Sequence, residues 1–231
     1  MKEVFVVFFW WLVFGGTHVV LSSPSMRPKL ITRLGDRPFL GVYSLVALAT
    51  FIPLVTYYAH HKHSGPHLWR AFGPYLLARD LNLALMAFAF VLLVVGLAAP
   101  PPSSMLASSG APEAYGVTRI TRHPTFAAIF VFGIAHCLMN GYLSDLVFFG
   151  GFSVFAWIGA KHQDSRKSVD IPGYAEFVST TSFVPFGAVF NGAQRLNFGE
   201  LRWSIVLLAL LIFYIVRAYH PQLFGGVLMT L

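Results

Sequence analysis

Six apolar stretches, each close to the width of a bilayer, dictate what this chain can become. A hydrocarbon core takes roughly 17–25 mostly apolar helical residues per span. The stretches fall at 4–21, 39–59, 81–98, 124–139, 142–160 and 201–219. Lipid offers no water to backbone amides, so a spanning segment must satisfy them internally, as a helix does. The spacing predicts an all-α, polytopic membrane bundle of about six transmembrane helices, a single domain over 1–231. Composition agrees, with only 11% of residues charged where a soluble domain carries about 25%. Disorder is excluded by the apolar content, and a disulfide framework by the single Cys137. Residues 1–21 read as the first span rather than a cleaved leader, because Lys2 stands beside Glu3 and no A-x-A site follows.

The charge balance of 16 Lys+Arg against 9 Asp+Glu reads as loop charge that orients spans, not as a nucleic-acid surface. Eleven of the basic residues fall in the loops 22–38, 99–123 and 161–202, and five on the opposite side. The rule that cytoplasmic loops are basic then puts both termini outside, periplasmic if the membrane is a bacterial inner membrane. Asn140-Gly141 leaves a tight hairpin between the fourth and fifth spans. The Pro- and Ser-rich 99–116 stretch reads as a flexible linker. Residues 172–192 are apolar but broken by Pro172, Gly173, Pro185, Gly187 and Gly192. They are expected to lie at the interface or to fold back between helices.

Ionisable residues inside a membrane are expensive and so are the first functional candidates. His18 follows Gly15 and Gly16 in the first span, and His136 follows Gly133 by one turn in the fourth. Each imidazole either hydrogen-bonds a neighbouring helix, with the glycines serving close packing, or ligates. Two in one small bundle suit a bis-imidazole haem b site held by His18 and His136. The depths must agree for one iron, yet His136 lies about 18 Å along the helix from Pro124. Either the first helix continues inward past Ser22, or the fourth starts outside the membrane, or His123 replaces His136. Four His at 60, 61, 63 and 67 read first as a polar interfacial loop and second as a zinc or copper site. In Thr118–Pro124 (TRITRHP), Pro124 suits the first helical position. Arg122 and His123 beside that helix start would favour an anion such as phosphate, carboxylate or a haem propionate. Asp164 and Glu176 read by default as solvated loop charges of little energetic weight, with pairing to Arg119 or Arg122 as the alternative.

Four stretches together resemble one family: Gly16-Thr17-His18 with Ser22-Ser23-Pro24; Arg33-Leu34-Gly35-Asp36-Arg37 leading to Tyr43-Ser44-Leu45-Val46; GVTRITRHP at 116–124 with Ala135-His136 and Asn140-Gly141; and Gln163-Asp164 with Thr181-Ser182-Phe183-Val184-Pro185-Phe186. The chain resembles, over about 15–195, the NnrU family of bacterial membrane proteins, linked by name to nitrite and nitric oxide reduction. The plant and cyanobacterial 15-cis-zeta-carotene isomerase is a related member. The resemblance implies haem b on His18 and His136, with His123 matching a further His of the pattern. Arg122 and His123 at the helix start are then the candidates for its propionates, and membrane lipid and a hydrophobic small-molecule substrate are the expected partners. It differs from the isomerase in having Gly133 where that enzyme has a Cys. A looser likeness to isoprenylcysteine carboxyl methyltransferases, through Arg122-His123-Pro124, Gly173-Tyr174 and Pro185, implies S-adenosylmethionine as the alternative cofactor. A non-catalytic haem-binding accessory protein is the third reading.

Overall fold

Apolar runs without internal breaks become long helices, and a computed structural model of the chain describes residues 1–69, 75–104 and 112–225. The long helices are α1 (Lys2–Ser22), α3 (Asp36–His60), α4 (Tyr75–Ala98) and α6 (Leu143–Asp170), preceded or joined by the short α2 (Arg27–Leu34). Two shorter apolar helices, α5 (Pro124–Met139) and α9 (Trp203–Ala218), complete the six expected spans. At about 1.5 Å per residue, 16 residues reach roughly 24 Å, just short of the hydrocarbon core. Three small helices, α7 (Tyr174–Thr180), α8 (Gly187–Phe190) and α10 (His220–Phe224), cap the ends.

Side by side the spans run in the order α3, α1, α6, α5, α4, α9. Small residues on α6 set that order. A side chain on Gly151 would stand 2.2 Å from the Trp11 ring of α1, and one on Gly133 of α5 would stand 2.3 Å from Ser153 Oγ of α6. With no Cβ at either position, the helices approach closely on both sides of α6. Trp11 Nε1 then donates to the Phe148 carbonyl at 3.1 Å, and Ser153 Oγ to that of Phe130 at 2.9 Å. Aromatic rings fill the α1–α3–α6 core, where Tyr58 stacks on Phe148 with centroids 3.7 Å apart.

One end of the bundle carries both described termini: the 61–69 loop lies against Val4 through Gly65, and Lys62 Nζ donates to Phe224 O at 2.5 Å. The 140–142 hairpin docks there too, with Leu68 N on Gly141 O at 2.8 Å. A Cβ at Gly141 would fall 1.7 Å from the Trp69 carbonyl oxygen, so only glycine passes at this turn. The basic loops gather at the other end, called the inner end below. The first four expected spans match their helices within a few residues, though α4 begins six residues earlier. The fifth continues ten residues past 160, so Lys161, Arg166 and Lys167 stand on α6 rather than in a loop.

The 99–116 expectation is corrected over its described part. Ser103 is buried and its hydroxyl donates to the Arg122 carbonyl, while Lys167 Nζ donates to Pro102 O at 2.6 Å and to Ser104 O. Proline fixes these carbonyls in place and the buried ammonium draws them in. Residues 105–111 of that stretch lie outside the described residues. The 172–192 segment folds back as expected: Arg122 N donates to Ser182 O and Phe186 N to Ile120 O, both at 2.8 Å.

Candidate functional site

The candidate site is built where α5 begins. His123 ends the preceding turn in a non-helical conformation (φ −121°, ψ 65°) and Pro124 takes the first helical position, where its missing N–H costs nothing. That geometry aims His123 and Arg122 at α6, where Asp164 meets them. Arg122 Nε and Nη2 each reach Asp164 Oδ2 at 2.8 Å, and His123 Nε2 reaches Oδ1 at 2.7 Å. Tyr174 of α7, fully buried, donates its hydroxyl to the same Oδ1 at 3.0 Å. A carboxylate only accepts, so the His123 proton lies on Nε2. Arg122 spends its remaining arm on Thr181 O at 3.0 Å. The side chains of Asp164, Arg122 and His123 are 11%, 15% and 1% exposed. Charge-assisted bonds of this density in a low-dielectric setting fix the inner ends of α5, α6 and α7 together. Arg122 and His123 thus both meet the chain's own Asp164.

A second knot lies outside the bundle. Arg119 grips Glu200 with Nε on Oε2 at 2.8 Å and Nη2 on Oε1 at 2.9 Å, while Nη1 reaches Gln194. The Gly116 amide adds 2.7 Å to Oε2. The Arg119 guanidinium, then this amide, hold the Glu200 carboxyl down at about 2. Of the carboxylates expected for these arginines, Asp164 takes Arg122; Arg119 takes Glu200, and Glu176 is exposed.

A third cluster, at the opposite end, was not legible as a site in the pattern. Asp145 has no exposed side-chain surface and accepts from Tyr58 Oη at 2.9 Å, His63 N at 3.1 Å and His63 Nδ1 at 2.7 Å. The signal for it was an acidic residue inside an apolar helix, which is expensive without partners. His63 adopts a left-handed φ of 55° to make both bonds. This disperses the histidine cluster. His60 and His61 bond the carbonyls of Thr56 and Tyr57 at 2.7 and 2.8 Å, and His67 stacks on Tyr142 at 4.4 Å. Among the described residues no three His, Cys, Asp or Glu gather to hold a metal.

His18 and His136 are not brought together. His18 packs on Tyr43 and Phe155 with centroids at 4.6 and 5.2 Å. His136 stacks on Phe149 at 4.4 Å and has its Nδ1 3.0 Å from the Phe132 carbonyl. Phe149 and Phe155 are six positions apart on α6, about 9 Å along its axis. The two histidines stand on α1 and α5, which flank α6. Each imidazole has the donor chemistry for haem iron. The Nδ1 bond of His136 resembles the support a ligating His receives, yet His60 and His61 show the same bond, so it is a general habit of helical His here.

Between α4, α5 and α6 lies an apolar groove of about 230 Å³, lined by Met86, Ala89, Phe90 and Leu93 of α4, Ala128, Ile129 and Phe132 of α5 and Phe152 of α6. The Phe132 ring that lines it contacts His136 at 4.2 Å.

Sequence comparison places these features. The model of the NnrU protein family matches residues 6–227. The chain belongs to the NnrU family. This NnrU member is also similar to the chloroplastic 15-cis-zeta-carotene isomerase of Arabidopsis thaliana, 26% identical over 197 residues covering 80% of the chain and 50% of the relative. The Zea mays chloroplastic 15-cis-zeta-carotene isomerase is 24% identical over 196 residues, with the same two shares. The chain thus spans about half the length of the curated relatives it matches. No solved structure matches it.

Proposed function

We propose that this membrane protein is isomerase-like and takes a long apolar polyene from the surrounding lipid into the groove between α4, α5 and α6. The observation that carries this reading is the groove's lining, which is wholly aliphatic, thioether and aromatic. Such a wall gains from burying an apolar chain and offers nothing to a polar one. The similarity to 15-cis-zeta-carotene isomerases makes a poly-cis carotenoid the substrate to test. Within the proposal, Phe132 and Phe152 hold the polyene against the small side chains of Ala89 and Ala128. His136, in contact with Phe132, is the ionisable group beside the bound chain. Haem b held by His18 and His136 is a separate proposal, supported by the donor chemistry of the two imidazoles, and the groove reading takes no step through it.

The test is pigment analysis of cells that accumulate 15-cis-zeta-carotene and express this protein. Conversion by the wild type, lost on Ala89→Phe and kept on Leu208→Phe at the lipid-exposed face of α9, supports the reading. Absence of conversion, or full conversion by Ala89→Phe, overturns it. An absorption spectrum of protein from haem-replete cells decides the haem expectation separately. A low-spin Soret band lost in both His18→Ala and His136→Ala would support a bis-imidazole haem on this pair.

A further inference from the structure

A second cavity lies where α1 and α3 meet, at the end of the bundle that carries the described termini. It measures about 370 Å³ and is lined by Trp10 of α1, by Pro53, Thr56, Tyr57 and His60 of α3, and by His61 just past that helix. The α3 side recurs at i, i+3, i+4, i+7 and i+8, which is one face of a helix, and covers about 12 Å of its axis. Both imidazoles in the wall have a fixed tautomer. His60 Nδ1 lies 2.7 Å from the Thr56 carbonyl oxygen and His61 Nδ1 2.8 Å from that of Tyr57. A carbonyl only accepts, so each Nδ1 carries the proton and each neutral ring keeps a lone pair on Nε2. Among the described residues nothing donates to either Nε2.

The rest of the wall is apolar or already committed. The Thr56 hydroxyl donates to Ile52 O at 2.8 Å. The Tyr57 ring stacks on His61 with centroids 4.1 Å apart and planes 16° from parallel, which fixes that imidazole, and Trp10 adds a further ring. An apolar concavity with a few placed polar groups is the usual form of a small-molecule site. Its chemistry narrows the occupant. A metal ion would find two nitrogens and, among the described residues, no third His, Cys, Asp or Glu. A lipid phosphate would set negative oxygens against lone pairs. A quinone or an ether brings acceptors alone to the two Nε2 atoms. A flat ring bearing a hydroxyl satisfies both sides, with its face on the aromatic wall and its O–H donated to an imidazole.

We propose that the α1–α3 cavity binds the hydroxylated ring of a membrane-soluble phenol or hydroquinone, its O–H donated to Nε2 of His60 or His61. The ring lies between Trp10 and Tyr57, and an apolar tail leaves toward lipid. This site is independent of the isomerase-like reading and lies on the other side of α6 from the α4–α5 groove.

The test is calorimetric titration of the full chain in a neutral detergent against a blank of empty micelles, at about pH 8, where an ordinary imidazole is neutral. The probes are para-hexylphenol and its methyl ether, which share ring and tail and differ in the hydroxyl hydrogen. The phenol is expected to bind about tenfold tighter than the ether, which corresponds to about 1.4 kcal/mol. The double variant His60→Phe with His61→Phe should lose that preference. His67→Phe, which changes an imidazole outside the cavity that stacks on Tyr142, should keep it. His61→Gln retains an acceptor and should keep part of the preference, which preserves a readout if the double variant folds poorly. Protection of buried Cys137 from a thiol-reactive dye shows that each variant is folded. Equal affinity for phenol and ether, a preference unchanged in the double variant, or an equal loss in His67→Phe would each overturn the site. So would binding of copper(II) with no heat from the phenol.

Discussion

Replacing Asp164 by Ala removes the acceptor shared by Arg122, His123 and Tyr174. The side chains concerned are mostly buried, so solvent screens little of the loss. Breaking a buried ion pair from one side costs about 3–5 kcal/mol, because the surviving charge stays buried without a partner. A helical domain of this size moves its Tm by about 2–4 °C per kcal/mol, so the expected drop is roughly 6–20 °C. Cys137, the one cysteine of the sequence, is buried and gives the assay. Its rate of labelling during a thermal ramp reports opening of the α5–α6 contact. Glu176→Ala, an exposed carboxylate on α7, should stay within about 0.5 kcal/mol of the wild type. The double variant Asp164→Leu with Arg122→Met should be more stable than Asp164→Ala alone, because no unanswered cation remains. A midpoint for Asp164→Ala that matches the wild type would refute the reasoning, as would a double variant less stable than the single one.

Three further outcomes follow from the geometry. Gly133→Ala puts a Cβ 2.3 Å from Ser153 Oγ and 2.5 Å from Phe149 O and should destabilise by about 1–3 kcal/mol in the Cys137 ramp; Gly16→Ala, with nothing within 4 Å, should be neutral or slightly stabilising. The Glu200 carboxyl is held at about 2 against an ordinary 4.5, so the Arg119–Glu200 contribution is present above about pH 4.5 and fades as pH falls toward 2. Stability measured across that window should lose part of its slope in Glu200→Gln, and an unchanged slope would refute the assignment. Reporter fusions at residue 195 and at the C-terminus should report opposite sides of the membrane, and fusions at the two termini the same side, since the described terminal segments share one end of the bundle.

Some of this architecture was set by the sequence alone. Hydrophobic runs fixed the number and order of the spans, because a helix in lipid depends on its own residues and their neighbours within four positions. Pro124 marked the start of α5 and Asn140-Gly141 its hairpin for the same local reason. That Arg122 would want an anion was legible as well. Which anion it meets was not. Asp164 lies 42 residues away and Glu200 lies 81 residues from Arg119, and those pairings exist only after α5, α6 and the inner loops have packed. The glycines on the two sides of α6 set the lateral order, and that order keeps His18 and His136 on flanking helices at different levels. Four histidines within eight residues read first as a polar interfacial loop and second as a metal site. The turn after α3 sent His63 to Asp145 and left the others to separate partners. Local sequence decides which segments enter the membrane. Contacts between residues far apart in the chain decide which polar groups meet there, because a buried charge settles where packing brings it a partner.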